Sequence, residues 1–164
     1  MFYSTYTNSH GTYSVDMLIR WVNDFKIKGK KYAIDDFKLS MSQNVWGVGK
    51  NMISPIDVLL HPNKHKEEYT SIKKANLDYS ILFTENEVVD GYHRIAKTMM
   101  LGLPTILAIY VPNKVWEKCF LCKKLVDVDD MTAFMIMEMY DERFKKTTPV
   151  KKSAKKSSKK TSKK

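Results

Sequence analysis

Val88-Val89-Asp90-Gly91-Tyr92-His93-Arg94-Ile95-Ala96-Lys97-Thr98-Met99-Met100-Leu101-Gly102 decides the fold. A β-prone pair runs into Asp90-Gly91, and a helix-type run from Ile95 to Leu101 follows and stops at Gly102. Upstream, Tyr79-Ser80-Ile81-Leu82-Phe83 and the polar Thr84-Glu85-Asn86-Glu87 turn lead into Val88-Val89, which predicts a hairpin over 80–89. Asp90 to Arg94 therefore sit where a strand hands over to a helix. The first N–H groups of a helix have no intrahelical acceptor and carry partial positive charge, so an anion is their natural partner. Gly91 permits a sharp turn and close approach of a ligand, and His93 and Arg94 supply donors, the guanidinium able to grip two phosphate oxygens. Asp90 is suited to orient a hydroxyl, to accept its proton or to hold Mg2+. The residues alone leave a second reading open, because Asp-Gly is a common turn and Asp a common helix cap.

Working outward, Pro104-Thr105-Ile106-Leu107-Ala108-Ile109-Tyr110-Val111 is strongly β-prone and predicts a buried strand. Residues 64–75 predict a short charged helix. Ile53-Ser54-Pro55-Ile56-Asp57-Val58-Leu59-Leu60 reads as a short strand with Pro55 near its start and His61-Pro62 as its stop. The order strand, helix, hairpin, helix, strand predicts a compact α/β (α+β) domain with a small mixed sheet and flanking helices. Ser14 is a fair N-cap for an amphipathic helix carrying Val15, Leu18, Ile19, Val22 and Phe25, ending near the Lys28-Gly29-Lys30-Lys31 loop. Residues 1–13 read as an N-terminal arm or irregular cap, and 32–50 lack clear periodicity. The glycine-bearing loop Trp46-Gly47-Val48-Gly49-Lys50 lacks the full pattern of a phosphate-cradling motif. Val115–Leu125 and Asp130–Phe144 predict helices, the second with a Met-rich stripe suited to adaptable core packing. The domain then spans 14–144.

The segment from Ile53 to Val111 resembles the ParB/sulfiredoxin-like superfamily. The resemblance rests on Ile53-Ser54-Pro55-Ile56-Asp57-Val58-Leu59-Leu60-His61-Pro62, on a short helix and hairpin, and on Val88 to Gly102 followed by a β-prone run after Leu103-Pro104. It implies a nucleotide-phosphate loop made by Gly91, Tyr92, His93 and Arg94, with ATP or CTP and Mg2+ as cofactor. The Asp90-Gly91-Tyr92-His93-Arg94 sequence is similar to the Asp-Gly-His-His-Arg of ParB-related free-serine kinases, which implies catalytic carboxylates and a catalytic histidine. Candidates for these are Asp90, His93 and, in the helix after the first element, Glu67 or Glu68. Tyr92 stands where sulfiredoxin has its nucleophilic cysteine, so sulfiredoxin chemistry is not expected. Nor is a full partition protein, whose DNA-reading and dimerisation domains exceed the residues that follow.

Two cysteines, Cys119 and Cys122, cannot form a disulfide framework, which favours a reducing compartment. On a helix they would share a face with Val115, as buried thiols, and four zinc ligands of the right type are not at hand. No run approaches the apolar length of a membrane span, and the start lacks the order of a signal peptide, so an intracellular protein is expected. The net charge of +10 is unevenly placed: 10 of the 28 basic residues are lysines between Lys145 and Lys164, leaving 18 to match the 18 acidic residues. A formally neutral body thus carries a tail of Lys-Lys pairs, 145–164, whose composition predicts disorder. Such a polycation suits non-specific nucleic-acid contact through residues 151–164, nuclear import, or simple solubility. The leading expectation is a nucleotide-binding protein working near nucleic acid, with phosphotransfer or nucleotide hydrolysis as its chemistry. The alternative is a DNA-associated structural or packaging protein with an inactive pocket.

Overall fold

The computed structural model describes residues 4–47, 49–123 and 133–145. Strands β1 (Thr5–Asn8) and β2 (Gly11–Ser14) form an antiparallel hairpin, and Ser14 then caps helix α1 (Val15–Asp24) by accepting from the Met17 amide at 3.2 Å. Within the segment expected to be an arm or irregular cap, residues 5–13 are therefore regular hairpin. Tyr13 stacks on Trp116 with ring centroids 4.1 Å apart, Tyr6 meets the same indole edge-on, and the short Thr/Tyr alternation is what places both rings on one face. Glu87 accepts from the Tyr6 hydroxyl at 2.8 Å and from Asn8 Nδ2 at 2.7 Å, which ties this hairpin to the turn of the next one.

Strand β3 (Lys30–Ala33) is followed by 3-10 turns at Ile34–Phe37 and Leu39–Ser42. Helix α2 (Pro55–Leu60) occupies the segment expected to be a strand. The Val and Ile residues there favour a strand, but Ser54 and Asp57 form a reciprocal capping box and Pro55 takes the first helical position, where its missing amide costs nothing. Only Ile53 keeps a β contact, an isolated bridge to Trp46. Helix α3 (Lys66–Lys74), strands β4 (Ile81–Phe83) and β5 (Val88–Asp90), helix α4 (Tyr92–Met100) and strand β6 (Thr105–Tyr110) follow the expected order.

The chain continues through α5 (Asn113–Lys118), β7 (Phe120–Cys122) and α6 (Ala133–Tyr140), with a π-turn at Asp141–Lys145. The helix expected over Val115–Leu125 is thus cut at Cys119, because Phe120 and Cys122 pair with Tyr13 and Thr12 of β2. Cys119 and Cys122 consequently do not share a helix face: Cys119 is buried with its thiol pushed up to about 12 by desolvation, and Cys122 is half-buried at the end of β7. In the Met-rich helix, Ile136 and Tyr140 are buried and Met137 and Met139 pack against the same core, as expected, whereas Phe134 and Met135 are exposed. Residues 124–132, which include Met131, and the tail from 146 to 164 lie outside the described residues.

The protein is a mixed α/β domain with two sheets: β1-β2-β7, antiparallel, and β3-β6-β4-β5, in which β4 and β6 run parallel and the other pairs antiparallel. Alternate residues of the second sheet feed two separate cores. Ile81, Val88, Ile106 and Ala108 face a cluster with Val58, Ile72 and Ile95 from α2, α3 and α4. Leu82, Val89 and Ile109 face the opposite cluster with Leu18, Trp116 and Tyr140. Burial on both faces explains why these strands read as continuous apolar runs. Among the described residues no helix is long and apolar enough to cross a membrane.

Candidate functional site at the β5–α4 junction

Gly91 is the pivot. Its φ of 108° lies in the left-handed region, and a Cβ there would sit 2.5 Å from Ile81 Cγ2 and 2.9 Å from Arg94 Nη2. Only glycine lets β5 end and α4 begin in so tight a space. Arg94 N is the first amide of α4 to find a helical acceptor, Gly91 O at 2.9 Å, which leaves the amides of Tyr92 and His93 directed out of the helix start. A cleft of about 340 Å3 opens at this point, lined by Asp90, Gly91, His93 and Arg94 from the junction and by Ser71, Lys74 and Ala75 from the end of α3.

Two ion pairs frame the cleft. Arg94 Nη2 donates to Asp90 Oδ2 at 2.5 Å, one helical turn apart, and the Arg94 side chain is only 19% exposed. Its Nε is buried without a hydrogen-bond partner, so Asp90 alone does not satisfy the guanidinium. His93 Nε2 lies 2.8 Å from Glu68 Oε2. A carboxylate in that position fixes the imidazole proton on Nε2 and leaves Nδ1 as the acceptor of the neutral ring. Trp46 stacks on His93 with centroids 4.4 Å apart and planes inclined by 15°, and is itself held by two-way backbone bonding to Ile53. The imidazole is thereby fixed from its face and from its edge.

The electrostatics favour an anion. Lys97 Nζ donates to the carbonyls of Lys73 at 2.8 Å and Ala75 at 2.7 Å, satisfying the C-terminal carbonyls of α3 that would otherwise put partial negative charge beside the cleft. What remains facing it is the positive end of α4 with Lys74 and Arg94, against the carboxylate of Asp90.

Of the residues expected from sequence, Asp90, Gly91, His93, Arg94 and Glu68 come together. Tyr92 contributes its backbone alone: the side chain is buried, its hydroxyl donates to Gln43 Oε1 at 3.0 Å, and desolvation raises its pKa to about 12, keeping it a neutral donor. Glu67, one residue before Glu68, is exposed; neither glutamate lines the cleft, and Glu68 reaches the site through His93. Sequence reasoning missed Ser71, Lys74 and Trp46. Lys74 reads as one more charge on a charged helix, and nothing in linear spacing ties Trp46 to His93. Among the described residues no group of three or more His, Cys, Asp or Glu comes together to hold a metal. Asp90 is the carboxylate that lines the cleft, and its Oδ2 is engaged by Arg94.

Comparison with protein-family models, with curated proteins and with solved structures returned no match.

Proposed function

We propose that the β5–α4 junction is a nucleotide-phosphate cradle and that the protein is a nucleotide-dependent phosphotransferase or hydrolase with a ParB/sulfiredoxin-like module at its centre. The observation that carries the reading is the convergence, around one left-handed glycine at a helix start, of the cleft-lining Arg94 and a His93–Glu68 pair. The amides of Tyr92 and His93, with Arg94 and Lys74, bind the phosphates of ATP or CTP. When bound with the nucleotide, Mg2+ neutralises phosphate charge, and Asp90 is the carboxylate placed to hold it. Glu68 orients His93, so that the imidazole takes the proton of an attacking hydroxyl or water. Trp46 keeps that imidazole from turning away.

The test is a thermal-shift panel of nucleoside triphosphates with Mg2+, coupled to an assay of phosphate release. We expect at least one nucleotide to raise the melting temperature, and Glu68→Gln to lower turnover about a hundredfold while leaving that rise intact. Absence of stabilisation by every nucleotide would exclude the cradle. The lysines of residues 151–164 supply a separate, non-specific contact with nucleic acid. If deletion of residues 148–164 leaves DNA affinity and its salt dependence unchanged, that contact lies elsewhere.

A further inference from the structure

The Asp90–Arg94 ion pair has a second side. A cavity of about 470 Å3 lies there, and it shares only Asp90 and Arg94 with the phosphate cleft. Its walls are apolar, Ile19 and Val22 from α1 with Leu82 and Ile109 from the sheet, and its size falls within the ~300–1,000 Å3 range of small-molecule pockets. Ile19 is 44% exposed and Tyr79, at the rim, 66% exposed, so large apolar and aromatic surface is left uncovered around it. Asn23 and Asp78 add a donor and acceptors among these apolar walls. Phosphate has no place against such walls. A flat heteroaromatic ring does, because it buries apolar area, stacks on Tyr79 and satisfies the few polar groups.

We infer that this α1 cavity is the nucleoside subsite of the same ligand, with the base among Ile19, Val22, Leu82 and Ile109 and the ribose at the Asp90–Arg94 pair. The inference rests on the phosphate-cradle reading. Asp90 and Arg94, which line both cavities, then lie where ribose joins phosphate, with Arg94 reaching to the phosphates and Asp90 to the Mg2+ beside them. α1 is thereby a binding element and not only a packing one.

Titration calorimetry on the full chain separates the two subsites by using inorganic tripolyphosphate beside ATP and CTP. We expect the wild-type protein to bind tripolyphosphate, and to bind ATP or CTP about tenfold or more tightly, the increment of one buried, stacked base. Ile19→Trp, which fills the cavity, should bring the nucleotide down to the tripolyphosphate affinity and leave tripolyphosphate unchanged. Val22→Phe, one helical turn further along α1, should act in the same direction. Retained tripolyphosphate binding reports that each variant is folded with its cradle intact. Undiminished nucleotide affinity in both variants would overturn the subsite while leaving the cradle standing. A wild-type protein that binds neither tripolyphosphate nor nucleotide would overturn the cradle, and the subsite with it.

Discussion

Gly91 concentrates the chemistry of the site into one backbone conformation. A side chain there meets two costs at once, the left-handed φ and a collision with Ile81 and Arg94 Nη2. Gly91→Ala is accordingly expected to destabilise the domain by about 2 kcal/mol, read as a shift of the urea midpoint with little change in slope. A midpoint unchanged within error would mean that the turn relaxes without strain. His93 and Arg94 were legible from sequence because both follow that glycine within one helical turn. The sequence left Glu67 and Glu68 equivalent, and only the packing of α3 against α4 separates them, placing Glu68 on His93 and leaving Glu67 exposed. Tyr92 was read as one residue of the loop; position in a motif says nothing of which face of the helix a side chain takes, and here the ring takes the core, which leaves the loop only its backbone amide.

At the scale of elements, the hairpin, α4 and β6 were readable because their patterns admit one solution. Apolar runs bounded by Asp-Gly and by Gly102 fit a two-sided sheet followed by a capped helix, and that is how they fold. α2 was misread since β-branched residues outweighed the Ser54-Pro55-Ile56-Asp57 signature, which marks a helix start whatever follows it. β1 and β2 were missed because they are four-residue strands in a short hairpin, and β7 because it is three residues long and gains its pairing from β2, more than a hundred residues away in sequence. The capping box makes its own prediction. Ser54→Ala removes a buried cap and should cost about 1 kcal/mol of stability. Hydrogen bonds from Ser54 hold the Asp57 carboxyl below its ordinary range. With the folded value lowered, the stabilisation is present above the unfolded carboxylate pKa and is lost as pH falls through the folded one. Stability measured against pH should therefore fall less steeply on the acid side in Ser54→Ala than in the wild type, and equal slopes would deny Ser54 that role.

Across the whole molecule, the four-stranded sheet acts as the partition that makes the site. One face carries α4 and α3, whose ends form the phosphate cleft; the other carries α1 and the apolar cavity; β5 delivers Asp90 and Gly91 to the edge where the two meet. That arrangement could not be read from the linear chain, because α1 and α4 are joined only through the sheet between them. A formally neutral body leaves anion binding to local geometry, so the claim stands or falls on Arg94 and the α4 amides, not on net charge. Removing Arg94 alone would strand Asp90 as a repelling carboxylate, which makes Asp90→Asn the proper background. The direct measurement is calorimetric titration of ATP and CTP, with Mg2+, into the wild type, Asp90→Asn and Asp90→Asn/Arg94→Ala. We expect saturable one-to-one binding by the wild type and a loss of about tenfold or more between the single and double variants, the weight of a charge-assisted phosphate contact. Equal affinity in those two variants, or no binding by any of the three proteins, would contradict a phosphate cradle at the start of α4.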